Sequence, residues 1–240
     1  MKRLLFTLLL ITPFIVNAQR LSSEELLQKS IDFHDPEGKW SMIDLQLVID
    51  MVSPNGATRA SKVSINNAKG TFELRAVNKG IETMSKVDEL DSCSFTVNYR
   101  PVTDKAQADS LRLTPYFAKR MRDYYSFLYG LPMKLKDNGT IIDPNVQRTT
   151  FQDKPVFSFK VTYDETVGTD IWYFYFHTET YAMVGYRFFH DESVNDGEYI
   201  TLEGMTIQNG MRLPKDRSWY MNIDDKLLGT DYLISMEIKN

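Results

Sequence analysis

Ile171-Trp172-Tyr173-Phe174-Tyr175-Phe176 reads as a β-strand without a polar face. Successive side chains of a strand point to opposite sides, so Trp172, Phe174 and Phe176 share one face, and Ile171, Tyr173 and Tyr175 the other. A half-solvated antiparallel strand alternates apolar with polar residues, so this one must be covered on both sides. The following segment behaves alike. An even-length loop at Glu179-Thr180 pairs Phe176 with Met183 and Phe174 with Gly185 on one face, and Tyr175 with Val184 and Tyr173 with Tyr186 on the other. Helices can cover one face. The other meets more protein or lines a cavity, and periodicity alone leaves both open.

The rest of the chain builds outward from this hairpin. From Val146 to the end it is strand-rich, with turns at Asp153-Lys154-Pro155, Asn195-Asp196-Gly197 and Gln208-Asn209-Gly210. Upstream, Trp40 to Met51 alternates, with Ile43, Leu45, Leu47 and Ile49 on one side, and ends at Ser53-Pro54-Asn55-Gly56. Further strands are expected at 60–66, 71–77, 81–87 and 94–100. Helices are expected at 21–33, capped by Ser22 or Ser23 with Glu24 and Glu25 in the first turn, at 104–113, and at 115–129. In the last of these Phe117, Met121, Tyr125 and Leu128 recur at helical spacing, the pattern of a face that packs on a sheet. A meander of about eight or more antiparallel strands must curl or close. The expected class is therefore α+β: a curved antiparallel sheet, an incomplete half-barrel, with helices over its concave side.

The amino terminus has a different pattern. Lys2 and Arg3 precede an apolar run from Leu4 to Val16, and Val16-Asn17-Ala18 supplies small residues before a cleavage point, the grammar of a secretory signal. Residues 1–18 are thus expected to be a signal peptide and residues 19–240 one exported domain, periplasmic and not lipid-anchored, because the single cysteine, Cys93, lies far from the leader. One cysteine forms no internal disulfide, so the core alone must hold the fold. The chain carries 28 Lys and Arg against 32 Asp and Glu, a formal charge of −4 that makes general attraction to nucleic acid unfavourable. Aromatic side chains, 14 Phe, 13 Tyr and 3 Trp, provide a large area to bury.

Motifs that carry chemistry are sparse. His34, His177 and His190 do not form the i, i+4 pair of a helical zinc site. His34-Asp35 reads as a turn and capping pair. His190-Asp191-Glu192 with Asp196 and Glu198 is an acidic loop whose spacing fits no regular calcium loop. There is no nucleophile elbow, no phosphate-binding Gly-rich loop and no dinucleotide fingerprint. Met211-Arg212-Leu213-Pro214-Lys215-Asp216-Arg217, before Trp219-Tyr220, is a basic patch, read either as strand-edge charge that discourages aggregation or as a contact for an anionic head group.

Several segments together resemble an uncharacterised family of exported bacterial proteins. They are His34-Asp35-Pro36 with Trp40, Tyr124-Tyr125 through Tyr129-Gly130-Leu131-Pro132-Met133-Lys134-Leu135, Gly168-Thr169-Asp170-Ile171-Trp172-Tyr173-Phe174, Asp196-Gly197-Glu198-Tyr199-Ile200, and Pro214-Lys215 through Leu228-Gly229-Thr230-Asp231. The resemblance implies an architecture similar to the LolA/LolB-type lipoprotein carriers, an incomplete barrel closed by helices over an apolar cavity. It transfers no residue roles.

Together these readings lead to the expectation of a non-enzymatic periplasmic carrier for a lipid, an acyl chain or another apolar small molecule, in transient contact with the outer membrane and needing no cofactor or metal. The expected ligand face is Trp172, Phe174 and Phe176, with Phe117, Met121 and Tyr125 as a lid and Arg212 and Lys215 for a head group. The alternatives are an interaction module with a flat aromatic surface for a protein or glycan, and a hydrolase built around one of the histidines.

Overall fold

The computed structural model describes residues 20–239; the leader read at 1–18 lies outside them. Three α-helices occur, α1 (Ser23–His34), α2 (Lys105–Ser110) and α3 (Pro115–Gly130). The first seven strands are β1 (Asp44–Val52), β2 (Thr58–Asn66), β3 (Thr71–Asn78), β4 (Ile81–Val87), β5 (Cys93–Val97), β6 (Arg100–Pro101) and β7 (Thr140–Ile142). The second seven are β8 (Gln147–Phe151), β9 (Lys154–Tyr163), β10 (Ile171–His177), β11 (Met183–Phe189), β12 (Glu198–Gln208), β13 (Met211–Met221) and β14 (Leu227–Lys239). All belong to one antiparallel sheet in the order β6-β5-β4-β3-β2-β1-β14-β13-β12-β11-β10-β9-β7, with β8 paired to β9 off this path. The two edges, β6 and β7, do not pair, so the curved sheet stays open. The fold is α+β, as the alternation implied.

Local chemistry sets most boundaries. Ser22 caps α1 in a reciprocal box with Glu25, whose carboxylate accepts the Ser22 N–H at 3.0 Å. Residues 40–42 form a short 3-10 turn instead of the expected start of a strand. The cause is Asp35, whose carboxylate accepts the N–H groups of Lys39 and Trp40 at 2.8 Å each and coils the chain there. From Ile43 on the alternation holds: Ile43, Leu45, Leu47 and Ile49 are all buried. The helix expected at 104–113 is shorter, because Arg112 has φ +56° and Thr114 already caps α3. Asn209 and Gly210, at φ +49° and +83°, make the two-residue turn that joins β12 to β13.

The expected register of the central hairpin needs one correction. Phe176 faces Met183 as read, but Tyr175 pairs with Gly185 and Phe174 with Tyr186. A bulge at Val184 inserts one residue and shifts every pair beyond it, which sequence alternation cannot reveal.

Helix α3 lies across the concave side and touches both arms of the sheet. Tyr125 stacks on Phe72 of β3 with ring centroids 6.2 Å apart, and Phe127 meets Trp172 of β10 edge-on at 5.6 Å. Gly130 ends the helix against Trp40 so closely that an added Cβ would lie 2.4 Å from the indole. The main core, including Phe174, Phe176, Phe159 and Leu128, fills the space between helix and sheet. A second cluster of Phe151, Val156, Tyr175 and Tyr199 covers the opposite face, with Phe151 stacked on Tyr175 at 4.2 Å. Both faces of the doubly aromatic strand are therefore covered by the chain itself.

Candidate functional site

Two clefts open on either side of the Phe127–Trp172 contact, and both are lined by Phe127, Asp170 and Trp172. The first, of about 540 Å³, lies between the β2–β3 turn, α3 and the β9–β10 loop, and its lining mixes Arg122, Lys134 and Asp137 with Ile65 and Val167. The second, of about 590 Å³, runs beneath α3 along β10 to β14. Its walls are aromatic: Trp172, Phe188 and Trp219 from the sheet, Tyr124 and Phe127 from the helix. Trp172 and Phe188 pack at 4.9 Å between ring centroids, which fixes their planes as a wall. Both volumes fall in the range of small-molecule sites, and both linings are predominantly apolar, the second through its aromatic rings.

Four adjacent strands, β2, β1, β14 and β13, carry a row of charge along this second cleft, with Arg59 and Asp231 in its lining and Arg217 buried beside Asp231. Arg59 faces Met51 across β2–β1, Met51 faces Asp231 across β1–β14, and Asp231 faces Arg217 across β14–β13. Neighbours in register on one face lie side by side, so the row reads cation, carboxyl, cation. Asp231 is only 4% exposed and Arg217 1%. Burial pushes the Asp231 carboxyl up, against the pull of Arg59 and Arg217. The Nη2 of Arg217 donates to the Leu128 carbonyl of α3 at 3.0 Å, and its guanidinium sits 4.0 Å over the Tyr129 ring. In contrast, the Nε of Arg59 and the hydroxyls of Tyr129 and Tyr186 are buried without hydrogen-bond partners.

Of the eight residues expected to bind ligand, only Trp172 lines these clefts. Phe174 and Phe176 are fully buried behind it, and Tyr125 is buried under α3. Phe117 and Met121 are half-buried on the same helix. Arg212 belongs to another contact, donating to the Phe33 carbonyl at 2.6 Å and lying over the Phe33 ring. Lys215 is exposed beside Gly204. The residues missed were Phe188, Trp219, Arg59, Tyr186 and Asp231. A signal existed for Arg59, which shares the inward parity of Ser61, Val63 and Ile65 in β2.

The three histidines are separate. His34 is buried between β11 and β13 and is no turn residue, whereas Asp35 does cap the turn. His177 Nδ1 accepts the N–H groups of Glu179 and Thr180 at 3.2 Å in the hairpin turn. His190 Nδ1 lies 2.7 Å from Asp170 at the rim of the second cleft. Among the described residues no group of three or more His, Cys, Asp or Glu side chains is placed to hold a metal ion. Burial raises the Cys93 thiol, the direction of an unreactive cysteine.

An open antiparallel half-barrel with a helix across its concave side and an aromatic cleft beneath defines a LolA-like architecture. Two solved structures share it: a domain described as an outer membrane lipoprotein-sorting protein, from Vibrio parahaemolyticus, and a LolA superfamily protein from Nitrosomonas europaea. The first is 9% identical, with TM-score 0.52 over 90% of this chain and 92% of that one. The second is also 9% identical, with TM-score 0.52 over 92% and 95%. At such identity the likeness is one of fold. The chain itself belongs to the family of unknown function DUF6503, whose model matches residues 2–236. Among curated proteins none matches.

Proposed function

We propose that the protein is a non-enzymatic periplasmic carrier that holds a lipid, an acyl chain or another apolar ligand in the 590 Å³ cleft beneath α3 and meets the outer membrane transiently. The observation that carries this reading is the wall of Trp172, Phe188 and Trp219, three large rings that are partly exposed and face one cleft. Each methylene buried there would contribute about 0.8 kcal/mol, so a short run of carbons suffices for useful affinity. Phe174 and Phe176 serve as the packed layer behind the wall. Phe117, Met121 and Tyr125 belong to the covering helix, and the export signal read at residues 1–18 supplies the compartment. Further support comes from the convex side. An interaction module needs a flat exposed aromatic face, but Tyr175 and Tyr199 lie under Phe151.

Native mass spectrometry with lipid extraction, on protein purified gently from its own source, tests the proposal. The expected result is a reproducible bound lipid that is lost in Trp172→Glu while circular dichroism stays unchanged. Protein that carries no lipid and rejects fluorescent acyl probes would overturn it.

A further inference from the structure

The cleft has an apolar wall and a charged floor, and the floor is unfinished as a hydrogen-bond network. Buried polar atoms nearly always find partners, because each one left alone costs the free energy of its lost hydration. Here the Arg59 Nε and the Tyr186 hydroxyl are buried without partners, and both residues line the cleft beside Asp231. They come from strands far apart in sequence and stand on two rows of the sheet, Arg59–Met51–Asp231–Arg217 and Tyr186–Ile200–Trp219–Gly229, that border the same cleft. Arg217, whose Nε is likewise unpartnered, does not line the cleft and is held by the Leu128 carbonyl and the Tyr129 ring. Arg59 therefore brings an unpartnered donor to the cleft lining, and Tyr186 adds a hydroxyl.

Resting on the carrier reading above, we infer that the ligand is a single-chain amphiphile with a carboxylate head, bound head-inward, its head on Arg59 and Tyr186 and its chain along Trp172, Phe188 and Trp219. A planar carboxylate matches one guanidinium fork. Asp231, in the same row, disfavours a head with more than one negative charge, which selects a carboxylate over a phosphate monoester. The unpartnered donors set the direction: a chain entering first would leave them unsatisfied and bring methylenes against charge.

Isothermal titration of the full chain with dodecanoate, its methyl ester and dodecyl phosphate tests the inference. Dodecanoate should bind roughly tenfold or more tightly than the ester, the scale of a charge-assisted hydrogen bond. Arg59→Gln should reduce dodecanoate to about the affinity of the ester, with unchanged circular dichroism showing that the fold is intact. Tyr186→Phe should weaken dodecanoate selectively without altering charge. Equal binding of acid and ester, indifferent to Arg59→Gln, would overturn head-inward binding while leaving the apolar cleft standing. Tighter binding of the phosphate would overturn the choice of head group, and binding of none of the three would overturn both readings.

Discussion

The imidazole of His34 accepts the backbone N–H of Met183 at 3.0 Å, linking the end of α1 to the start of β11. Its other nitrogen, Nδ1, donates to the Arg212 carbonyl at 2.7 Å, so the ring is a neutral tautomer with both nitrogens used. Burial, with Arg217 and Arg212 nearby, holds its pKa at about 4, below the ordinary 6.5. The unfolded chain therefore takes up a proton between pH 6.5 and 4 that the folded chain refuses. Stability should be full above pH 6.5 and fall by on the order of 3 kcal/mol as the pH drops through that window. Urea unfolding across the range measures it, and His34→Gln should flatten this part of the profile. An unchanged slope in that variant would assign the acid sensitivity elsewhere.

Gly185 lies under Phe151. A Cβ there would stand 2.3 Å from the phenyl ring and 2.7 Å from the Ile200 carbonyl. Gly185→Ala should destabilise the fold by about 2 kcal/mol through overpacking, and Phe151→Ala by about 3 kcal/mol through the lost ring. The double variant should cost less than the sum, because removing the ring relieves one of the two clashes. Thermal unfolding of all three variants checks this, and strict additivity would contradict the contact.

Arg217 ties α3 to the sheet and offsets the buried Asp231 carboxyl. Arg217→Met leaves that carboxyl without its adjacent cation and should cost about 3 kcal/mol. Adding Asp231→Asn should restore part of the loss. If the double variant is no more stable than Arg217→Met, the two residues are not coupled.

Two of the 3 tryptophans, Trp172 and Trp219, line the aromatic cleft, whereas Trp40 is packed against Gly130. Filling the cleft should move intrinsic emission to shorter wavelength as ordered water leaves the indoles. The shift should vanish in the Trp172→Phe/Trp219→Phe protein, which keeps only Trp40. A shift of equal size in that protein would place binding elsewhere.

At the cleft rim the Asp170 hydrogen bond to His190 raises the imidazole pKa above 6.5. Asp170→Asn should bring the midpoint down. Titration followed by NMR of the ring carbons measures both, and a wild-type midpoint at or below 6.5 would contradict the pair.

Turn and strand placement was legible where the signal is local. Asn209-Gly210 and the inward set Ile43, Leu45, Leu47 and Ile49 sit where dihedral preference and two-residue alternation put them. The demand for cover on both faces of Ile171–Phe176 was legible too, since an apolar face exposed to water costs in proportion to its area whatever the neighbours are. What covers each face was not. Phe151 reaches Tyr175 only because β8 folds back on β9, and the bulge at Val184 changes the partner of Phe174 without any mark in the alternation.

For the site, sequence alone determined that aromatic residues were in excess and that Trp172 stood on an apolar strand. The tertiary structure decided which of those aromatics remain accessible: Phe174 and Phe176 fall behind the wall, and Phe188 and Trp219 form it. It also decided the row of Arg59, Asp231 and Arg217. Alternation tells only which side of its own strand a residue occupies, whereas the meeting of residues 59, 217 and 231 depends on the pairing and register of strands that the chain visits at opposite ends.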